Sequence, residues 1–140
     1  KLETGEKVKE TYNLSNKKWS LSNKVSYDNN LEIILENSPR GNLVWNIMGS
    51  TLLYAADLIP EIADDIVNID RAMKWGFAWK MGPFEMLDQI GNNDVIDRCM
   101  KEGIKVPKML KLLNDSGNNT FYNDKDEYLD LSGEYKSLKS

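Results

Sequence analysis

The side chains that carry chemistry are unevenly supplied in this sequence. Its 140 residues include no histidine. Histidine is the usual general base near neutral pH, so no Ser-His-Asp triad, Cys-His pair or His-ligated zinc site can be assembled. The one cysteine, Cys99, has no partner for an internal disulfide or an all-thiolate metal site. It falls on an apolar stripe with no base to activate it, and reads as a packing residue. Among the carboxylates, Asp64 and Asp65 are adjacent, so on a helix they diverge by about 100°. With Asp70 they read as a helix start and an exposed face. The tail "NDKDEYLDLSGE" opens the spacing of a calcium loop at Asp124 and Asp126. Leu129 stands where that loop needs its turn glycine, so a solvated hairpin is the better account. No G-x-G-x-x-G or G-x-x-x-x-G-K-[ST] occurs, which leaves a nucleotide pyrophosphate without a recognisable cradle.

Two groups remain that suit binding rather than catalysis. Met73, Met81, Met86, Met100 and Met109 would suit an alkyl-binding surface, but most sit at helical spacing, which favours the core. Trp75 and Trp79 flank a glycine; exposed they would make a partner or ligand surface, buried they would wedge two helices apart. The net charge of −4, with acids and bases interleaved, argues against general nucleic-acid binding. The longest apolar run, Leu52 to Ala56, is far too short to span a bilayer. Asn13-Leu14-Ser15 and Asn118-Asn119-Thr120 match the glycosylation pattern, but the lack of a signal peptide and of disulfides points to a cytoplasmic home. The chain begins at Lys1 rather than Met, which reads as a processed product or a piece of something longer.

The elements that must position these residues are mostly helical. Residues 1–30, rich in Lys, Asn, Ser and Thr, read as a linker or surface arm. Leu31, Ile33, Ile34 and Leu35 suit one short helix, broken by Ser38-Pro39-Arg40-Gly41. Val44, Ile47, Met48, Leu52, Ala55 and Ile59 then share one face of a longer helix, which Pro60 stops or bends. A second stripe runs through Ile62, Ile66, Ile69, Met73 and Phe77, with Gly76 as its C-terminal cap. In "KMGPFEMLD", Gly82 suits an N-cap and Pro83 the first helical position, where no amide donor is missed. Glu85 falls in the first turn, close enough to reach back to free amides. Phe84, Leu87 and Ile90 point inward, and Gly91 ends the helix. Further helices run from about Asp94 to Glu102 and from Pro107 to before Gly117. Thr120 to Tyr122 and Glu127 to Leu131 read as two strands around a turn at 123–126. The expected fold is mainly α: one helical domain over 31–140 with a small C-terminal β-hairpin.

The segment "NIDRAMKWGFAWKMGPFEMLDQIG", Asn68 to Gly91, closely resembles the helical C-terminal domain of 3-hydroxyacyl-CoA dehydrogenases. That family's pattern is Ile-Asp-x-Ala-Met-Lys-x-Gly, then Met-Gly-Pro-Phe-Glu-x-x-Asp, then Gly. The flanks "LLYAADLIPEIADDI" and "RCMKEGIKVPKMLKLLNDSGNNTFY" resemble the long form, in which a Rossmann domain, two helical domains and an enoyl-CoA hydratase/isomerase-like domain follow one another. The likeness runs from about Arg40 to Tyr122. It implies a second helical repeat of the 6-phosphogluconate dehydrogenase C-terminal-like type. In the family, NAD and a catalytic His-Glu pair belong to the Rossmann domain. The first helical domain adds an Asn-Arg at the start of its long helix; here the stretch reads Val44-Trp45-Asn46-Ile47, so no catalytic role passes to Asn46. The resemblance therefore implies an inactive segment, without catalytic, cofactor or metal residues, of an NAD-dependent parent enzyme of fatty-acid β-oxidation. Its partners would be other domains of the parent chain, a second copy, and acyl-CoA in the parent enzyme. Trp79, Met81, Gly82 and Pro83 are the expected contacts to an acyl chain or a partner helix. The rival reading is a stand-alone acyl-binding or protein-interaction module without redox chemistry.

Overall fold

The computed structural model describes residues 10–13, 16–21 and 31–138. The chain divides into two compact units, 1–30 and 31–140. In the first, β1 (Glu10–Asn13) pairs antiparallel with β2 (Lys18–Leu21), and the Tyr12 and Trp19 rings lie 5.3 Å apart.

The second unit is helical. A 3₁₀ helix, Leu31–Leu35, buries Ile34. Ser38 and Pro39, expected only to break that helix, also start the next one. α1 (Pro39–Val44) opens with Ser38 accepting the Gly41 amide at 3.0 Å and Pro39 in the first turn. A turn of π-helix, Trp45–Gly49, joins α1 to α2 (Ser50–Asp57) without a break in direction. The expected stripe is corrected at its start. At about 100° per residue, Trp45, seven residues before Leu52, shares its face, whereas Ile47, five before it, does not. Trp45 points inward and Ile47 is exposed, although Leu52, Ala55 and Ile59 are buried as expected. Gly49 makes room, since a Cβ there would meet the Trp45 ring at 2.6 Å. The indole N–H donates to Glu102, and the Arg98 guanidinium sits 4.5 Å over the ring.

α3 (Ile66–Phe77) is capped by Asp65, whose carboxylate accepts the Asn68 amide at 2.7 Å. Asp65 thus marks a helix start, as its sequence position suggests. Gly76 is not the cap. The helix runs through it, and Ala78, in the left-handed region with φ of 54°, turns the chain so that Trp79 and Met81 fold back onto the core. The ends of the second stripe are exposed at Ile62 and Phe77, because the helix begins after the one and frees the other at its last turn.

α4 (Pro83–Ile90) and α5 (Asn92–Glu102) follow with only Gly91 between them, at φ of 104°. α6 (Lys108–Asp115) packs against α2 and α5. α4 is the central element, touching α2, α3, α5 and the 3₁₀ helix. Its Phe84 meets Phe121 edge to face at 4.9 Å in the core. Cys99 is fully buried there, and Met86 and Met109 are buried; Met100 is exposed.

The tail is a three-stranded antiparallel sheet rather than a hairpin: β3 (Tyr122–Asn123), β4 (Glu127–Leu129) and β5 (Tyr135–Ser137). The third strand depends on Asp130, which is buried rather than solvated. It accepts from the Ser132 amide and hydroxyl and the Glu134 amide, and it pairs with Lys136. Lys136 and these hydrogen bonds hold its carboxyl well below the usual carboxylate range.

Candidate functional site

The sequence singles out the corner between α3 and α4. Its elements come together for local reasons. Gly82 is the N-cap of α4, with an extended backbone, and Pro83 stands at the first helical position. Glu85 reaches back to accept the Gly82 amide at 2.8 Å. Its other oxygen takes Lys74 of α3 at 2.6 Å, which ties the two helices together. All three roles follow from the sequence.

The N-cap lacks a side chain of its own, and α3 supplies one. Asp70 accepts the amides of Phe84 at 2.9 Å and Glu85 at 3.2 Å. A carboxylate from another helix thus satisfies the donors that a capping Ser or Asp would take. It also explains Gly82, because a Cβ at that position would lie 2.2 Å from the Asp70 carboxyl carbon. The second Asp70 oxygen also accepts the Tyr122 hydroxyl at 2.9 Å. Asp88, on α4, accepts the amides of Phe121 at 2.7 Å and Tyr122 at 2.9 Å, and the Asn92 side chain at 2.7 Å. Tyr122 is therefore held at its backbone by one helix and at its hydroxyl by another.

Asp70 corrects a sequence expectation. It is not on an exposed face but only 2% exposed. The signal was present: Asp70 lies four residues after Ile66 and beside Ile69, within the apolar stripe. A carboxylate on a buried stripe needs donors, and the donors are at the start of α4. Tyr122 gives no such signal, since only the fold brings it to Asp70.

The electrostatics follow from this burial. Loss of water pushes the Asp70 carboxyl up to about 6, against the lowering effect of the Phe84 amide and the Tyr122 hydroxyl. Burial also raises Asp88, again opposed by the Phe121 and Tyr122 amides. Tyr122 is raised by burial, then by the charge of Asp70 and the hydrogen bond to it. Such a cluster holds its own members. Its acceptors are filled by donors of the chain itself, which suits a clasp rather than acid–base work on a ligand.

The four expected contact residues meet at this corner. Gly82 and Pro83 are buried, and Trp79 and Met81 are half-buried against the core. Trp75 and Phe77, just before them, are 81% and 70% exposed. A shallow depression lies elsewhere, lined by Trp45, Asn46, Ser50, Leu53 and Ile104. Among the described residues no three His, Cys, Asp or Glu side chains gather as a metal site, and no helix is long and apolar enough to cross a membrane.

The fold and this corner define a class of protein domain: a helical unit built around a glycine–proline helix start that a buried aspartate caps. Comparison with known sequences gives the family. Residues 43–106 match the sequence model of the 3-hydroxyacyl-CoA dehydrogenase C-terminal domain, and the chain belongs to that family. It is 46% identical over 110 residues to the "Probable 3-hydroxyacyl-CoA dehydrogenase" of Bacillus subtilis, covering 76% of this chain and 14% of that protein. It is 35% identical over 114 residues to a protein of Rickettsia felis named as a fatty acid oxidation complex trifunctional enzyme, covering 78% of this chain and 16% of that one. The protein so named in Rickettsia prowazekii is 32% identical over 114 residues, with the same coverage. The chain thus spans 14% to 16% of the length of these curated relatives. No solved structure matches it.

Proposed function

We propose that this chain is a non-catalytic helical domain of an NAD-dependent 3-hydroxyacyl-CoA dehydrogenase of fatty-acid β-oxidation, one that packs against neighbouring domains and supports the substrate cleft. The observation that carries this reading is the inward-turned corner. Asp70, Asp88, Glu85 and Lys74, which include every carboxylate within the family signature, are bonded within the chain. A group so engaged stabilises a fold and leaves no base aimed at a substrate. The absence of histidine from the sequence agrees with this. In the parent enzyme, NAD and the reacting groups would lie in other domains, and a cytoplasmic location fits the whole.

The test is direct. The 140-residue chain, given 3-hydroxybutyryl-CoA and NAD, is expected to form no NADH above the enzyme-free rate. Turnover by the chain would overturn the reading.

A second reading, an acyl-binding or interaction module independent of redox chemistry, is favoured by one feature: the exposed Trp75 and Phe77. Quenching of tryptophan fluorescence by a long-chain acyl-CoA, lost in Trp75→Ala, would support it over the packing role.

A further inference from the structure

The terminal sheet carries many of its own hydrogen bonds. Leu129 donates its amide to Phe121 and Leu138 to Asp126, both at 2.8 Å, and the Tyr135 hydroxyl donates to the Thr120 carbonyl at 2.6 Å. Asp130 gathers the Ser132 and Glu134 amides and Lys136 between β4 and β5. All of these join residues between Thr120 and Leu138, so they survive a separation of the sheet from the helices.

The ties from β3 to the helices are of another kind. The Phe121 and Tyr122 amides go to Asp88 of α4, and the Tyr122 hydroxyl goes to Asp70 of α3. Asp70 is buried and Asp88 half-buried, and among the described residues neither pairs with a cation. Lys74, one turn along α3 from Asp70, is taken by Glu85, and Arg71 is exposed. α4 brings Glu85 and Asp88, two further negative charges. β3 brings Tyr122. β4, which also packs against α3, brings Tyr128, opposite Tyr122, and Glu127, bonded to Asn123.

Separation acts differently on the two sides. It withdraws Phe121 and Leu129 from the core, which sets its cost. α4 keeps its cap, because the Phe84 and Glu85 amides bond to Asp70 directly. Asp70 exchanges one donor, the Tyr122 hydroxyl, for water. A charged carboxylate gains from that exchange far more than a protonated one.

We propose that β3, β4 and β5 form a proton-operated latch: the sheet opens from the helices as one piece while they stay folded, and protonation of Asp70 holds it closed. Closed, Asp70 is pushed up to about 6 by loss of water, so closure is strongest below that value and weakens as pH rises through it. Burial raises Asp88 as well, which adds to the effect in the same direction. The latch belongs to this domain alone and stands apart from the packing reading.

Amide hydrogen exchange followed by NMR on the 140-residue chain, corrected for intrinsic rates, tests it. The Phe121, Tyr122 and Leu129 amides are expected to be less protected than those of Leu87 and Cys99 at about pH 5 and at about pH 7, because the sheet opens without global unfolding. Their protection is expected to fall about tenfold between those two pH values, as the closed site loses its proton. Asp70→Asn keeps an acceptor for the amides but cannot ionise, and is expected to show a smaller fall. Tyr122→Phe is expected to show a steeper one, because the carboxylate then lacks the hydroxyl that favours its charge. Sheet amides as well protected as the helical ones, or a fall of unchanged size in Asp70→Asn or in Tyr122→Phe, would each overturn the proposal.

Discussion

Two helices in this domain begin with a small residue followed by proline, and they are capped in different ways. At Ser38-Pro39 the N-cap side chain accepts the Gly41 amide three residues on. At Gly82-Pro83 the N-cap has no side chain, and Asp70 of the preceding helix takes the amides of Phe84 and Glu85. One cap is local; the other is borrowed. The local cap secures only its own helix start. The borrowed one fixes the position of α3 against α4 and, through Tyr122, of the terminal sheet against both. The family signature coincides with the borrowed cap, where one glycine, one proline and two carboxylates depend on each other.

Substitutions that treat the two starts alike should therefore act very differently. Asp70→Ala leaves the Phe84 and Glu85 amides and the Tyr122 hydroxyl without their acceptor. It is expected to destabilise the chain by about 2–4 kcal/mol in urea unfolding. A loss under about 1 kcal/mol would mean that water replaces the borrowed cap.

The pH dependence sharpens the contrast, since only the borrowed cap uses a buried carboxylate. The folded-state value of Asp70 is raised from 3.8 to about 6, so the folded chain holds the proton more tightly than the unfolded chain. This contribution to stability is complete below pH 3.8 and is lost as pH rises through about 6. Fully developed, it is on the order of 3 kcal/mol. Urea unfolding at a series of pH values from 4 to 7 should show that slope in the wild type and a much shallower one in Asp70→Asn. Equal slopes would assign the effect elsewhere, Asp88 being the first candidate, because burial raises it in the same direction.

Gly82→Ala tests the shape of the corner without altering its charges. The backbone there, φ −76° and ψ 166°, suits any residue, so the cost is purely steric. With Asp70 in the way at 2.2 Å, a loss of about 1–3 kcal/mol is expected from the melting temperature. The smallest effect belongs to the local cap: Ser38→Ala should cost about 1 kcal/mol at any pH between 5 and 8.

Some of this could be read along the chain. The Gly82-Pro83 start, the reach of Glu85 back to it and the Gly91 stop all depend on residues within a turn or two of each other. The core positions Phe84, Leu87, Ile90, Leu110 and Leu113 follow from helical spacing. The misreadings share another trait. Ile47 is exposed because it lies about 140° round the helix from Leu52, too far for the stripe it was counted with. The third strand exists because Asp130 finds two amides and Lys136 across a turn. At the candidate site, Gly82, Pro83 and Glu85 were legible, whereas Asp70 was placed on the wrong side despite lying within the apolar stripe.

The sequence by itself determined that this is a helical domain with sharp, glycine- and proline-marked corners, without histidine chemistry, and akin to one family. It could do so because helix period, capping and the absence of a residue type are properties of short stretches or of composition. Only the tertiary structure decided which carboxylate caps α4, why Gly82 has no side chain, and which face of the α1–α2 helix is left bare. Those outcomes depend on burial, and burial is set by residues far apart in the chain that meet only when the core closes.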